Sequence, residues 1–465
     1  MSDQGELPMG DQSKSRHNSE GPLPDFTLDE LRHRMKVLDV KRLLIKELAP
    51  NDNSKNQPYL SGSMDVANIL PSGTAYVDVT PKGNRVMKAP LPLEWLQPDG
   101  ESVPAPDAKL ILYPQYPEVR FSGFLNRARN APSHLLTTRM PGRILFFGIT
   151  RDRRIIGWCV GPDSKIAREI ASLGELETEG VFRIIPLEAR KASTRDILFR
   201  ELRRIHELDW IVSKALRQDG SIVPCRSSNC IGYTLEAELG VARNGLAEPD
   251  FEGWEVKANQ VGNFTRPPPP GKAITLMTPE PTGGFYRKAG VEDFIRTYGY
   301  EDKMGRKDRL NFGGVHRVGV RHDSTHLTLV LDGYDLANGQ ITNPEGSLNL
   351  LDDRGEVAAA WSFTGLLNIW NRKHAKAVYV PGEVRTDAER SYRYGATVRI
   401  GEGTSFNHLV RALAKGDVYY DPGIKLENAS SAKPGIKRRS QFRIKSGDME
   451  DLYDRFEVVS SFTDA

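Results

Sequence analysis

No stretch of this sequence approaches the ~18 consecutive apolar residues that a membrane-spanning helix needs, so no membrane span is expected. The first residues, MSDQGELPMGDQSKSRHNSEGP, are polar and lack the apolar core of a signal peptide. Cysteine is scarce. Three in 465 residues (Cys159, Cys225 and Cys230) make a disulfide framework unexpected and fit a reducing cytoplasm. Cys225 and Cys230 lie close together, but no second Cys or His pair follows at zinc-finger spacing. Phosphate-binding Walker loops, a nucleotide-binding GxGxxG after a strand, and a G-x-S-x-G elbow are all missing, which excludes the commonest nucleotide-dependent and serine-hydrolase classes. A strong net charge is missing too. The formal value is only +3, less basic than many nucleic-acid binders.

That mean hides local contrast. Lys433 to Lys445 reads KPGIKRRSQFRIK, with basic residues and no acid. Such a run is either a solvated face or a nucleic-acid contact. Phe442 and Ile444 alternate with charge there, as in a strand that turns Arg443 to one side.

The length calls for two or three domains. Residues 1–24 read as a disordered tail. Leu28, Leu31, Met35 and Leu38 recur at helical spacing between Thr27 and Leu48. From about 50 to 193 short β-like runs alternate with Pro-, Gly- and Asn-rich turns, so 25–193 reads as one mostly β domain. Gln115 to Phe124 reads there either as a functional loop or as a tight turn. Ser193 or Thr194 caps a helix striped by Leu198, Leu202, Ile205 and Leu208, expected to end near Asp219-Gly220. Beyond it, helices and strands alternate to the end, the texture of an α/β domain with a mixed central sheet over 194–465. The whole is thus of mixed α+β class. Pro267 to Pro270 reads as a stiff spacer.

The chemistry concentrates between Gly232 and Asn259. The run Trp254-Glu255-Val256-Lys257-Ala258 reads as a strand, so Glu255 and Lys257 share one face while Trp254 and Val256 turn to the core. Asp250 lies just upstream, and Gly253 can supply the bend that sets its carboxylate beside Glu255. Two carboxylates aimed at one point make a hard oxygen site suited to Mg²⁺. A lysine beside them can hold the attacking water and stabilise phosphate charge. Glu236, on the helix expected over 232–239, can point a further carboxylate at the same place. Alone, D-x4-E-x-K is a weak signal, and an exposed Glu–Lys pair on a strand edge explains it equally well.

The surrounding residues make it more specific. Thr234-Leu235-Glu236, Leu239-Gly240-Val241, Asn244, Pro249-Asp250, Gly253 and Glu255-Val256-Lys257 resemble the signature of the MvaI/BcnI restriction endonucleases. The resemblance continues in order through Ile205-His206, Trp210-Ile211, Ile274 to Thr278, Tyr298-Gly299-Tyr300, the segment around Trp361 to Trp370, and Phe406 to Tyr453. It implies a fold related to the nicking enzyme MutH and a PD-(D/E)xK active site of Glu236, Asp250, Glu255 and Lys257. It implies a monomeric, cytoplasmic, Mg²⁺-dependent enzyme that cuts double-stranded DNA at a short, nearly symmetric G·C-rich site, paired with a companion DNA methyltransferase. A nicking repair enzyme or a DNA-binding regulator without catalysis are the alternatives. Arg438-Arg439-Ser440-Gln441 departs from the family's His- and Gly-richer segment, which leaves the recognition sequence open. Expected DNA contacts are Lys303, Arg306, Lys307 and Arg309 on a basic loop, with His316, Arg438, Arg439, Gln441 and Arg443. His316, His322 and His326 lack the regular spacing of a zinc site. The N-terminal β domain lies outside the resemblance. Leu43 to Leu60 is similar to the start of a DNA-binding pseudobarrel found as an effector module in related endonucleases.

Overall fold

The structure is a computed structural model that describes residues 25–50, 57–61, 66–113, 118–188, 193–227, 229–242, 251–264, 273–370, 376–387 and 389–460. The architecture is mixed α+β, as expected. The tail 1–24, the tip of the Gln115 segment and the tetraproline tract lie outside the described residues.

The first helix is shorter than its periodicity implies. It runs Leu28–Val37, opened by a reciprocal capping box between Thr27 and Glu30. Asp39 then takes a left-handed conformation (φ 59°), and Val40–Leu48 continues as a strand. Leu43, Leu44 and Ile45 are all fully buried, because this strand lies inside a sheet with both faces covered. That sheet has seven strands, ordered Thr178–Glu179, Phe182–Ile185, Val40–Leu48, Arg143–Thr150, Ile155–Val160, Leu93–Leu96 and Ser102–Pro104. A five-stranded sheet completes the β-rich N-terminal region.

The next helix, Thr194–Glu207, has a second capping box, between Ser193 and Asp196. It stops twelve residues short of the Asp219 boundary read from its stripe (207 against 219). Asp209 adopts φ 52°, and the chain turns into the short strand Ile211–Val212. Asp219-Gly220 instead makes the turn of a hairpin pairing Lys214–Leu216 with Ile222–Pro224.

The downstream region is built on a six-stranded mixed sheet. Its long strand, Lys376–Thr386, pairs in parallel with Glu255–Gln260 and antiparallel with Arg390–Tyr394 and Thr397–Glu402. Arg455–Ser460 pairs with the last of these. Helix Thr194–Glu207 covers one face, where Leu198, Leu202 and Ile205 bury against Trp254, Val256, Val378 and Val380. Trp210 is held between Arg385 and Arg393, whose guanidinium carbons stand 4.4 and 4.9 Å from its ring centre. The strand Ala273–Met277 pairs with Phe442–Lys445, which pairs in turn with Val418–Tyr420. One hydrophobic cluster contains residues from both the N-terminal β region and the part beyond 273.

One expectation about cysteine fails. Cys225 and Cys230 form a disulfide, because the turn between Ile222–Pro224 and the helix Cys230–Glu238 brings their Cα atoms to 5.6 Å. It closes only a short loop, so the fold is not stapled by it. Cys159 is free and buried.

Candidate active site

Sheet register organises the site. Glu255 stands beside Ala377 and Lys257 beside Tyr379. The next strand continues both rows, with Gly401 after Ala377 and Arg399 after Tyr379. The row through Glu255 therefore runs over small residues and leaves a trough. Tyr453 fills it: a Cβ added to Gly401 would stand 2.6–2.7 Å from three Tyr453 ring carbons. The Tyr453 hydroxyl meets that of Tyr379 at 2.6 Å. Burial, first of all, raises both phenols above their usual range, and the negative Glu255 nearby adds to this. Both are therefore neutral hydrogen-bonding groups beside the acid–lysine pair.

Glu255 is buried and ion-paired to Lys257, whose side chain is 45% exposed. The strand thus carries its acid inside and its cation at the mouth. Trp254 and Val256, on the opposite face, are buried as expected. A tight turn delivers the strand. Phe251 and Trp254 exchange two backbone hydrogen bonds around Glu252 (φ 50°) and Gly253 (φ 86°), the left-handed pair of a type I′ turn. Asp250, Pro249 and Asn244 lie outside the described residues. The helix Cys230–Glu238 packs against the strand and carries half-buried Glu236.

Glu255, Lys257, Tyr379 and Tyr453 line a cleft of about 400 Å³. Its far wall is Ala273 to Leu276, and Asn229, Trp370 and Thr404 close it. Thr404 Oγ1 and Trp370 Nε1 are buried without a hydrogen-bond partner among the described residues. Sequence reading missed Tyr379, Tyr453, Thr404 and Trp370. Only Tyr379 carried a usable signal, since the run Ala377 to Pro381 around it has the texture of a strand.

Among the described residues the cleft's carboxylate, Glu255, offers oxygen donors of the kind that suit a hard divalent cation. No group of three His, Cys, Asp or Glu that could hold a metal gathers among the described residues. His316 and His322 stack as rings 4.3 Å apart, and His326 instead bonds Arg321, so the histidines form no ligand set.

The expected DNA contacts divide. Lys303, Arg306, Lys307, Arg438 and Arg439 are exposed. Arg309 is not: it is buried beside Asp302 at 3.4 Å, with Asn311 accepting from its Nε at 3.1 Å. His316 is fully buried, bonded to Gly314 O and Thr325 Oγ1, each at 2.9 Å. Both are core polar groups and are withdrawn as phosphate contacts. Gln441 is also buried and accepts from Arg439 at 3.2 Å. Arg443 pairs with Asp421 at 2.7 Å, on the strand that borders the cleft's far wall.

With this geometry in place, the comparisons define the class. The MvaI/BcnI restriction endonuclease family model matches residues 199–453, more than half of the chain. The class is that of site-specific deoxyribonucleases of restriction type. The chain belongs to the MvaI/BcnI restriction endonuclease family. Among solved structures it is similar to a restriction endonuclease MvaI–cognate DNA substrate complex, at 17% identity and TM-score 0.40, over 58% of this chain and 100% of that one. It is also similar to restriction endonuclease MvaI in the absence of DNA, at 18% identity and TM-score 0.33, with the same coverage. Comparison with curated proteins finds no match.

Burial, then the neighbouring His322, depresses the His316 imidazole to about 3. A depressed folded-state value means stability is fully present above the unfolded value near 6.5 and is lost as pH falls from there toward about 3. The loss is about 1.4 kcal/mol per pH unit, or roughly 2 kcal/mol between pH 6.5 and 5. His316→Gln is expected to remove that component from the pH 7 to pH 5 difference in unfolding free energy. Equal differences for the variant and the parent in denaturant titrations disprove the assignment.

Gly401→Ala forces the Tyr453 ring off the sheet. It is expected to cost about 1–3 kcal/mol, as overpacking does. A urea midpoint unchanged from the parent shows that the ring has room to shift.

Proposed function

We propose that this enzyme hydrolyses phosphodiesters of double-stranded DNA at the cleft between Glu255–Gln260 and Ala273–Met277, with Glu236, Asp250, Glu255 and Lys257 as its active-site residues and Mg²⁺ as its metal. The observation that carries the reading is the placement of Glu255 and Lys257. They share one face of a strand at a cleft, with the carboxylate inside and the ammonium at the opening.

In this reading Glu255, with Asp250 and Glu236, holds the divalent cation. The bound ion supplies Lewis acidity toward the phosphate and lowers the pKa of water. Lys257 stabilises the negative charge that builds on phosphate oxygens and orients the attacking water. Its four-carbon stem and 45% exposure let the ammonium turn from Glu255 toward an incoming phosphate. The Tyr379–Tyr453 pair holds the base of the cleft with neutral hydroxyls, so the cleft base itself adds no negative charge against the phosphate. Lys303, Arg306, Lys307, Arg438 and Arg439 supply exposed positive charge for the backbone. The further elements of the proposal are a monomer acting in the cytoplasm, a short pseudo-symmetric G·C-rich site and a companion methyltransferase.

Plasmid cleavage is expected with Mg²⁺ or Mn²⁺ and to stop in EDTA. Glu255→Gln and Lys257→Ala are each expected to slow it at least ~10²-fold, the scale for loss of one group that stabilises transition-state charge. Specific DNA binding in Ca²⁺ should survive in both. Cleavage at the parent rate by either variant moves the site elsewhere.

A single catalytic centre per chain requires two successive strand cuts. Nicked circles are therefore expected to accumulate before linear DNA, and sedimentation should give the mass of one chain. Direct conversion of supercoiled to linear DNA by an obligate dimer contradicts the monomeric reading.

A further inference from the structure

The strand that carries Glu255 has no covalent reason to stay in place. It is six residues long and follows a two-residue turn. Its position depends on what lies behind it, and part of that backing comes from the N-terminal β region.

Glu177 lies just before the short strand Thr178–Glu179 of the seven-stranded sheet. Its carboxylate reaches two elements of the nuclease region at once. It pairs with Lys376, the first residue of the long strand Lys376–Thr386. It also accepts from the Thr194 hydroxyl at 2.8 and 3.0 Å and from the Thr194 backbone N–H at 3.4 Å. Thr194 is the first residue of the helix that packs behind the catalytic strand, so an acid there also suits the helix dipole. Burial alone would raise the Glu177 carboxyl, but Lys376 and Thr194 hold it below its usual range.

Lys376 passes the contact on. Its side chain is only 7% exposed, and its Nζ stands 5.5 Å from the centre of the Trp254 ring. Trp254 is the residue before Glu255 and is fully buried. The residue after Lys376 is Ala377, the register partner of Glu255. A second contact runs parallel to the first. Arg42, paired with Glu179, lies against the turn before the strand, where a Cβ added to Gly253 would stand 3.5 Å from Arg42 Nε.

We propose that the N-terminal β region holds the catalytic strand in position through the chain Glu177–Lys376–Trp254, so that Glu177 and Lys376 are positioning residues for cleavage. The inference rests on Glu255 and Lys257 being the catalytic pair. Its physical core, the anchoring of Glu255–Gln260, stands without that reading. Lys376 is buried at the start of the strand next to the catalytic one, and an uncompensated cation there costs far more than an exposed pair is worth. Loss of Glu177 charge frees Lys376 to move toward solvent. Trp254 then loses the ammonium on its face, and the strand loses its backing.

The test is hydrogen exchange and cleavage with the full-length chain and Glu177→Gln. Amides of Glu255–Gln260 are expected to exchange at least ~10-fold faster in the variant, while Arg143–Thr150 and Ser347–Leu351 keep the parent's protection. Single-turnover cleavage is expected to slow at least ~10-fold with DNA affinity in Ca²⁺ within about twofold, since misplacement of reacting groups acts on the chemical step. Glu177→Asp is expected to recover part of both effects. Exchange at Glu255–Gln260 that matches the parent overturns the proposal. So does a rise that is equal in all three strands, for then the pair holds the whole fold and not this strand. If the parent cuts no DNA, the proposed function fails while the exchange measurement still decides the anchoring.

Discussion

The parallel pairing of Glu255–Gln260 with the first half of Lys376–Thr386 is the constraint on which the rest depends. It sets which residues face each other across the cleft floor, and it does so with backbone hydrogen bonds. A slip of one residue would turn Glu255 and Lys257 to the core and Trp254 and Val256 to the cleft. Burial on the back face forbids that slip. Trp254 and Val256 are locked into the cluster with the helix Thr194–Glu207, so the acid and the lysine have only one side to occupy. The placement of Glu255 and Lys257 is therefore a consequence of core packing on the other side of the same strand.

Small residues do the complementary work. Ala377 and Gly401 succeed each other across the sheet beside Glu255, and the space they leave is taken by Tyr453. Gly401 is needed for the close approach of that ring rather than for an unusual backbone angle. The hydroxyl of Tyr453 meets that of Tyr379, which keeps the base of the cleft polar but uncharged. A carboxylate at either position would have added repulsion beside Glu255, and an aliphatic residue would have left no hydrogen bond between the two.

The local parts of this design were legible in the sequence, and the long-range parts were not. Alternation told which side chains of the strand at Glu255 share a face, and the structure agrees. The helix Val291–Tyr298 and the strand Ala273–Met277 have ends that Gly or Pro neighbours mark in the sequence. Helix ends without such marks were misplaced. Asp39 and Asp209 both stop helices by adopting left-handed conformations, which a periodicity of leucines does not register. The disulfide escaped because counting cysteines ignores a turn that brings two of them together. Arg309 and His316 were misread for another reason. Charge and ring type say what a side chain can contact, but burial decides whether it meets DNA or Asp302 and Thr325. Tyr379 and Tyr453 reach the site from far along the chain, one from a strand and one from the segment before the last strand, and no linear spacing links them to Glu255.

The modest net charge also acquires a physical sense. A deoxyribonuclease needs positive potential where the phosphates lie, and not over its whole surface. Many of the chain's cations are already spent inside the molecule: Arg309 on Asp302, Lys376 on Glu177, Arg443 on Asp421 and Arg393 on Glu383. Such pairs cancel in the total and say nothing about DNA. Exposed cations include those of the Lys303–Lys307 loop and of Lys437 to Arg439, and the latter leads directly into the strand Phe442–Lys445. That strand pairs with Ala273–Met277, the far wall of the cleft. Part of the exposed positive charge is thus attached to the strand beside the wall opposite Lys257.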